Sequence, residues 1–161
     1  LDNKGKLVSE VGKILSAVKE YDMVLASGHI SPAETFALID AARNMGIQKL
    51  LITHATSVEV LDEALSLEEQ KRLAEMGVFI EYVGVELLHE LLGHGKSPIP
   101  EAIKTVGAEH CIISTDMGLA FEPPPAEGMK ISISSLLNRG ITPEEIELMI
   151  KVNPAKLLGL D

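Results

Sequence analysis

The chain has 161 residues, enough for one ordinary domain with a real core. Its 46% hydrophobic content excludes a disordered polymer, and its net charge of −10 argues against nucleic acid or an anionic membrane as the main partner. No run approaches the roughly 18 apolar residues of a membrane span and no signal peptide is visible, so the expected setting is cytoplasmic; the single Cys111 excludes an internal disulfide framework and is neutral about compartment.

Aromatic residues make up only 3% and tryptophan is absent, so the core must be built from Leu, Ile, Val, Ala and Met. That palette suits buried parallel strands. From Lys6 to Lys19, apolar residues at Leu7, Val8, Val11, Ile14, Leu15 and Val18 recur at three- and four-residue spacing and predict an amphipathic helix. Residues 23–27 are a short, dense apolar run and read as a buried strand. The strand ends in Gly28-His29. Ser31-Pro32-Ala33-Glu34 then reads as a helix start, with Ser31 as N-cap, Pro32 first and Glu34 as the return partner of a capping box. This helix runs over 32–45 and stops at Gly46.

Lys49 to Thr53 is the second predicted strand, and His54 follows it. A short helix is expected over 57–65, then another from the capping box Ser66-Leu67-Glu68-Glu69 to Gly77. Val78 to Val83 is the third strand and carries Glu81 near its end. Helical pieces over 85–93 and 100–106 flank a Gly/Pro break. His110 to Thr115 is the fourth strand and ends in Asp116. Pro123, Pro124 and Pro125 predict an extended loop, positioned to overhang whatever lies beyond Asp116. A helix over 126–138, another capped by Thr142 and Glu145, and a short one over 153–158 complete the chain.

Strands alternate with helices at even spacing, which gives an α/β fold of parallel (β/α) units in one domain over 1–161. Four strands cannot close a barrel. They make either a small open sheet or half of a TIM-type (β/α)8 barrel.

In such folds chemistry gathers at the carboxyl ends of strands. Three of the four predicted strands end in a potential metal ligand: His29, His54 and Asp116. Two imidazoles and a carboxylate suit a divalent metal, with zinc first and manganese or iron as alternatives. Asp116 is also placed to move a proton. Glu81, Ser27 and Thr53 are candidates for contacts with substrate or for orienting the histidines. Each has a plainer reading, since strand-end polar residues also satisfy turns, and an Asp such as Asp116 commonly caps a loop through its side chain. His89-Glu90-Leu91-Leu92-Gly93-His94 superficially matches the zinc-protease motif His-Glu-x-x-His, but it has one residue too many. On a continuous helix that spacing turns the second histidine away from the first. His110 and Cys111 read as structural, and the chain contains no glycine-rich phosphate loop.

Gly28-His29, Thr53-His54, Ser114-Thr115-Asp116 and the tail Asn153-Pro154-Ala155-Lys156-Leu157-Leu158-Gly159-Leu160 together resemble the C-terminal half of the amidohydrolase superfamily, metal-dependent hydrolases on a (β/α)8 barrel. The pattern from Gly28 to Glu34 is similar to a group of amidohydrolase-like proteins of unknown function. The resemblance implies that the four strands correspond to the fifth to eighth of the barrel. It implies His29 and His54 as the paired histidine ligands and Asp116 as the last-strand aspartate. The expected reaction is hydrolysis of an amide, ester or lactone in a small molecule.

That superfamily also uses a His-x-His pair on its first strand and often a lysine or glutamate on its fourth, and neither is present here. The chain begins at Leu1 without methionine. Two expectations follow: a missing N-terminal half that supplies the pair, or a half-barrel that associates with another copy. The rival is a non-catalytic α/β half-barrel that serves binding or assembly.

Overall fold

In a computed structural model, which describes residues 1–2, 5–57 and 64–160, the chain forms an α/β fold around one four-stranded sheet. The strands are β1 (Leu25–Ala26), β2 (Leu50–Ile52), β3 (Phe79–Val83) and β4 (Cys111–Ser114). They lie in the order β1-β2-β3-β4 and every pair is parallel. The register aligns Leu25 with Leu50, Ile52 with Ile80, and Ile80 with Cys111. Helices α1 (Ser9–Glu20), α2 (Pro32–Asn44), α3 (Leu67–Glu75), α4 (Gly84–Leu91), α5 (Ile99–Val106) and α6 (Pro125–Asn138) connect or flank the strands. Then α7 (Pro143–Glu147) passes through a π-turn, Leu148–Val152, into α8 (Asn153–Leu158). Among the described residues no helix is long and apolar enough to cross a membrane.

Local chemistry accounts for the helix starts. All three predicted capping boxes are present: Ser31 with Glu34, Ser66 with Glu69, and Thr142 with Glu145. Each satisfies amide donors that the first helical turn leaves free. Hydrogen bonds from the Ser31 hydroxyl, and then the Ser31 amide, hold the exposed Glu34 carboxyl down to about 2. Gly46 and Gly77 follow their helices with φ of 82° and 83°, the left-handed turn expected of them.

The structure refines other expectations. The strand over 23–27 shortens to Leu25–Ala26. Pro125 is the first residue of α6 rather than part of the loop, since a helix tolerates proline where no intrahelical N–H is needed. His110 closes a 3-10 turn, Ala108–His110, just before β4. The short helix expected over 57–65 falls mostly on residues 58–63, outside the described residues.

Parallel register puts paired residues on the same sheet face. Leu25, Leu50, Ile52, Ile80, Tyr82, Cys111 and Ile113 share one face and belong to a single core cluster. Leu15, Val18, Ile39, Leu73, Leu87, Ile103, Leu136 and Met149 join that cluster from the helices and the π-turn. On the opposite face Ala26 is exposed and Leu51, Phe79 and Glu81 are half-buried, while Val83 and Ile112 are buried outside that cluster. The core cluster therefore lies on one side of the sheet.

Tyr82, Gln70 and Asn153, buried in the covered layer, have hydrogen-bond partners. The Tyr82 hydroxyl donates to Gln70 Oε1 at 2.9 Å, while Gln70 Nε2 donates to the carbonyls of Ala55 and Leu65. Burial raises the Tyr82 phenol well above its ordinary range and pushes the Cys111 thiol up to about 12, so Cys111 is an inert core residue. Asn153, 3% exposed, donates to the carbonyls of Ala108 and Cys111 at 2.8 and 2.7 Å. The asparagine of the tail thus fixes the start of β4.

Candidate functional site

The carboxyl ends of the strands bring His29, His54 and Asp116 into one neighbourhood. The rings of His29 and His54 meet edge to face, with centroids 4.8 Å apart. His54 Nε2 lies 3.7 Å from Asp116 Oδ2, close enough for charge interaction and too long for a hydrogen bond. His54 is 7% exposed, Asp116 is exposed, and His29 sits at the rim.

The backbone aims these side chains in a costly way. His54 and Asp116 have φ of 55° and 51°, in the left-handed region where a side chain is strained. Only one further non-glycine among the described residues, Asp22, does the same. After β2 the His54 carbonyl accepts the Ser57 N–H at 3.0 Å, and the Ala55 N–H donates to the Glu81 carbonyl at 3.3 Å, so a tight turn is locked against β3. After β4 the Thr115 carbonyl accepts the Val85 N–H at 3.1 Å. Strain held by surrounding bonds at a strand end is a recurrent mark of functional positions.

Ser27 has a definite position in this arrangement. Its hydroxyl donates to the Gly28 carbonyl and accepts the Thr53 N–H at 3.1 Å. It thereby ties together the two backbone segments that lead into His29 and His54. Thr53 takes part through its amide. Glu81 stands two residues before the end of β3 with its side chain on the sheet face opposite the core cluster, and its carbonyl accepts the Ala55 N–H of the His54 turn.

His54 Nδ1 is buried and has no hydrogen-bond partner. An unmatched buried ring nitrogen costs about 1–3 kcal/mol unless something fills it. The donor chemistry of His54, His29 and Asp116 fits a divalent metal. Among the described residues, however, no three His, Cys, Asp or Glu side chains already close round a common point. His54 pairs with each neighbour in turn rather than completing a cage with both.

A second polar cluster begins two residues past His54. The buried hydroxyls of Thr56 and Ser57 both donate to the Glu86 carboxylate in the first turn of α4. The sequence pattern singles out none of the three. The only hint is a Thr-Ser pair directly after a strand-end histidine. Beside them, α4 ends at Leu91 and the chain folds back, so the His94 ring returns to 5.6 Å from His89. Separation on a continuous helix does not apply, because the helix stops between the two. Beyond β4, the Glu122 carboxylate accepts the Gly118 and Leu119 N–H groups, which lower its pKa and fold the loop before the prolines into a compact turn.

Residues 1–81 match DUF6282, a family of unknown function, and the chain belongs to that family. No curated protein and no solved structure matches it.

Proposed function

We propose that this chain is half of a (β/α)8 barrel and carries part of the centre of a metal-dependent hydrolase acting on an amide, ester or lactone of a small molecule. The observation that carries this reading is the convergence of His29, His54 and Asp116 on one strand-end rim, around an imidazole whose buried Nδ1 has no partner. His54, His29 and Asp116 would hold the metal, with zinc first and manganese or iron as alternatives. Bound there, a divalent ion supplies Lewis acidity, which makes water more acidic and polarises a carbonyl. Asp116, exposed and beside His54 Nε2, takes up a proton at its carboxylate and returns it to the leaving group. Ser27 holds the two histidine-bearing segments in register.

Equilibration of the 161-residue chain with zinc, removal of excess by gel filtration and elemental analysis tests the reading. Stoichiometric zinc that disappears in His54→Ala, together with a zinc-dependent rise in melting temperature, is the expected result. A chain that retains no zinc, manganese or iron, or retains it equally in His54→Ala, overturns it.

The half-barrel part rests on sequential strand order, a core cluster on one face, and outer edges of β1 and β4 that pair with no further strand among the described residues. Unpaired edges and a half-bare face favour association, either with a second copy or with a segment that provides the other four strands. The same features favour a second reading, a binding or assembly module without catalysis. Light scattering separates these: a stable monomer at high concentration counts against association, and an oligomer without bound metal favours the module.

A further inference from the structure

A pocket of about 240 Å³ lies between α4 and the loop that leads into α5. Thr56, Ser57, Glu86, His89, Glu90 and Lys96 are among the side chains that line it. Its two carboxylates differ. Glu90 is committed: it pairs with Arg139 and accepts the Ser97 N–H at 3.1 Å. Glu86 has no cation among the described residues. Its contacts are the Thr56 hydroxyl, at 3.1 and 2.9 Å to the two oxygens, and the Ser57 hydroxyl at 2.5 Å to Oε1.

Both hydroxyls are buried, at 8% exposure each, and each spends its single proton on Glu86. They fix the carboxylate without neutralising it. Among the described residues Oε2 accepts only from Thr56, so it keeps lone-pair capacity. A fixed, half-buried negative charge in a cavity is a preorganised partner for a cation, since its orientation cost is already met. Lys96 at the mouth is exposed on a flexible stem and better solvated, and the two histidines of the lining, His89 and His94, lie on α4 and just beyond it. An anionic ligand would face both Glu86 and the chain's net charge of −10.

We infer that this pocket binds a small molecule through a protonated amine, with Glu86 as its counter-ion and Thr56 and Ser57 as the residues that position Glu86. The inference stands on the pocket alone and does not depend on metal at His54.

The test is amide-resolved NMR titration of the 161-residue chain with n-butylammonium chloride and, separately, sodium butyrate. The amine is expected to shift the amide signals of Thr56, Ser57 and Glu86 saturably in the millimolar range, with no comparable effect from butyrate. Glu86→Gln is expected to weaken the amine at least tenfold, while Lys96→Ala leaves it unchanged or stronger. Butyrate binding as well as or better than the amine overturns the proposal, and so does the absence of saturable shifts. Amine binding that persists in Glu86→Gln, or is lost in Lys96→Ala, overturns it as well. The amine-against-butyrate comparison on the unaltered chain decides the matter even where Glu86→Gln fails to fold. His54→Ala, which tests the metal centre, is expected to leave amine binding intact.

Discussion

The two faces of the sheet differ in what they require of the sequence. On the helix-covered face, Ile52 and Ile80 are 1% and 0% exposed and interlock with side chains from most of the helices. One residue away along the same strands, Leu51 and Phe79 are half-buried and join no such cluster. The same strands therefore hold a close-packed core on one side and, at these positions, a half-buried surface on the other. Stability is invested in the covered side, and the chemistry-bearing rim lies where the two sides meet.

The contrast can be broken most directly by truncation. Ile52→Ala is expected to cost about 2–5 kcal/mol, as a cavity in a close-packed interior does, whereas Leu51→Ala should cost about 1 kcal/mol or less from partial burial alone. Urea denaturation measures both, and equal losses would mean that the open face is packed as tightly as the covered one. Next in size is Gly84, at the start of α4. A Cβ there would meet Ser132 Oγ of α6 at 2.2 Å. Gly84→Ala should destabilise by about 1–3 kcal/mol, and Ser132→Gly should recover part of that in the double variant, a coupling that a double-mutant cycle reads.

The rim is expected to respond with the opposite sign. Asp116→Gly removes a side chain from a left-handed position and should stabilise the chain by about 0.5–1 kcal/mol. The same change should reduce zinc retention. A loss of stability instead would show that the Asp116 side chain supports the fold.

The smallest effect lies at the cap of α2. Glu34, held at about 2 by Ser31, contributes stability that is complete above its ordinary value of 4.5 and is lost as pH falls toward 2. The melting temperatures of the parent and Glu34→Gln should therefore differ near neutrality and converge as pH approaches 2. A constant gap across that range would remove the cap's ionisation from the account.

The sequence exposes whatever depends on near neighbours. Ser31 with Glu34, Ser66 with Glu69 and Thr142 with Glu145 are three residues apart, so their capping boxes can be read directly. His29, His54 and Asp116 are legible through one general rule, that polar residues after buried strands gather at one end. Their mutual approach is less legible, because it depends on positive φ at His54 and Asp116, which no pattern announces. Glu81 meets the rule halfway: it stands two residues before the end of β3, and strand alternation puts its side chain on the face opposite the core cluster. Glu86 lies beyond the rule, since only the register of β2 against β3 brings Thr56 and Ser57 to it. The π-turn that fuses α7 to α8 also escapes detection, because Asn153-Pro154 reads as a fresh helix start.

The Gln70 amide holds the carbonyls of both Ala55 and Leu65, the two shoulders of the excursion between β2 and α3. Both ends of that excursion are pinned to one buried side chain, which Tyr82 holds in turn. The strand end that carries His54 and the approach to α3 thus share one buried anchor, so a change at Gln70 should loosen both together rather than either alone.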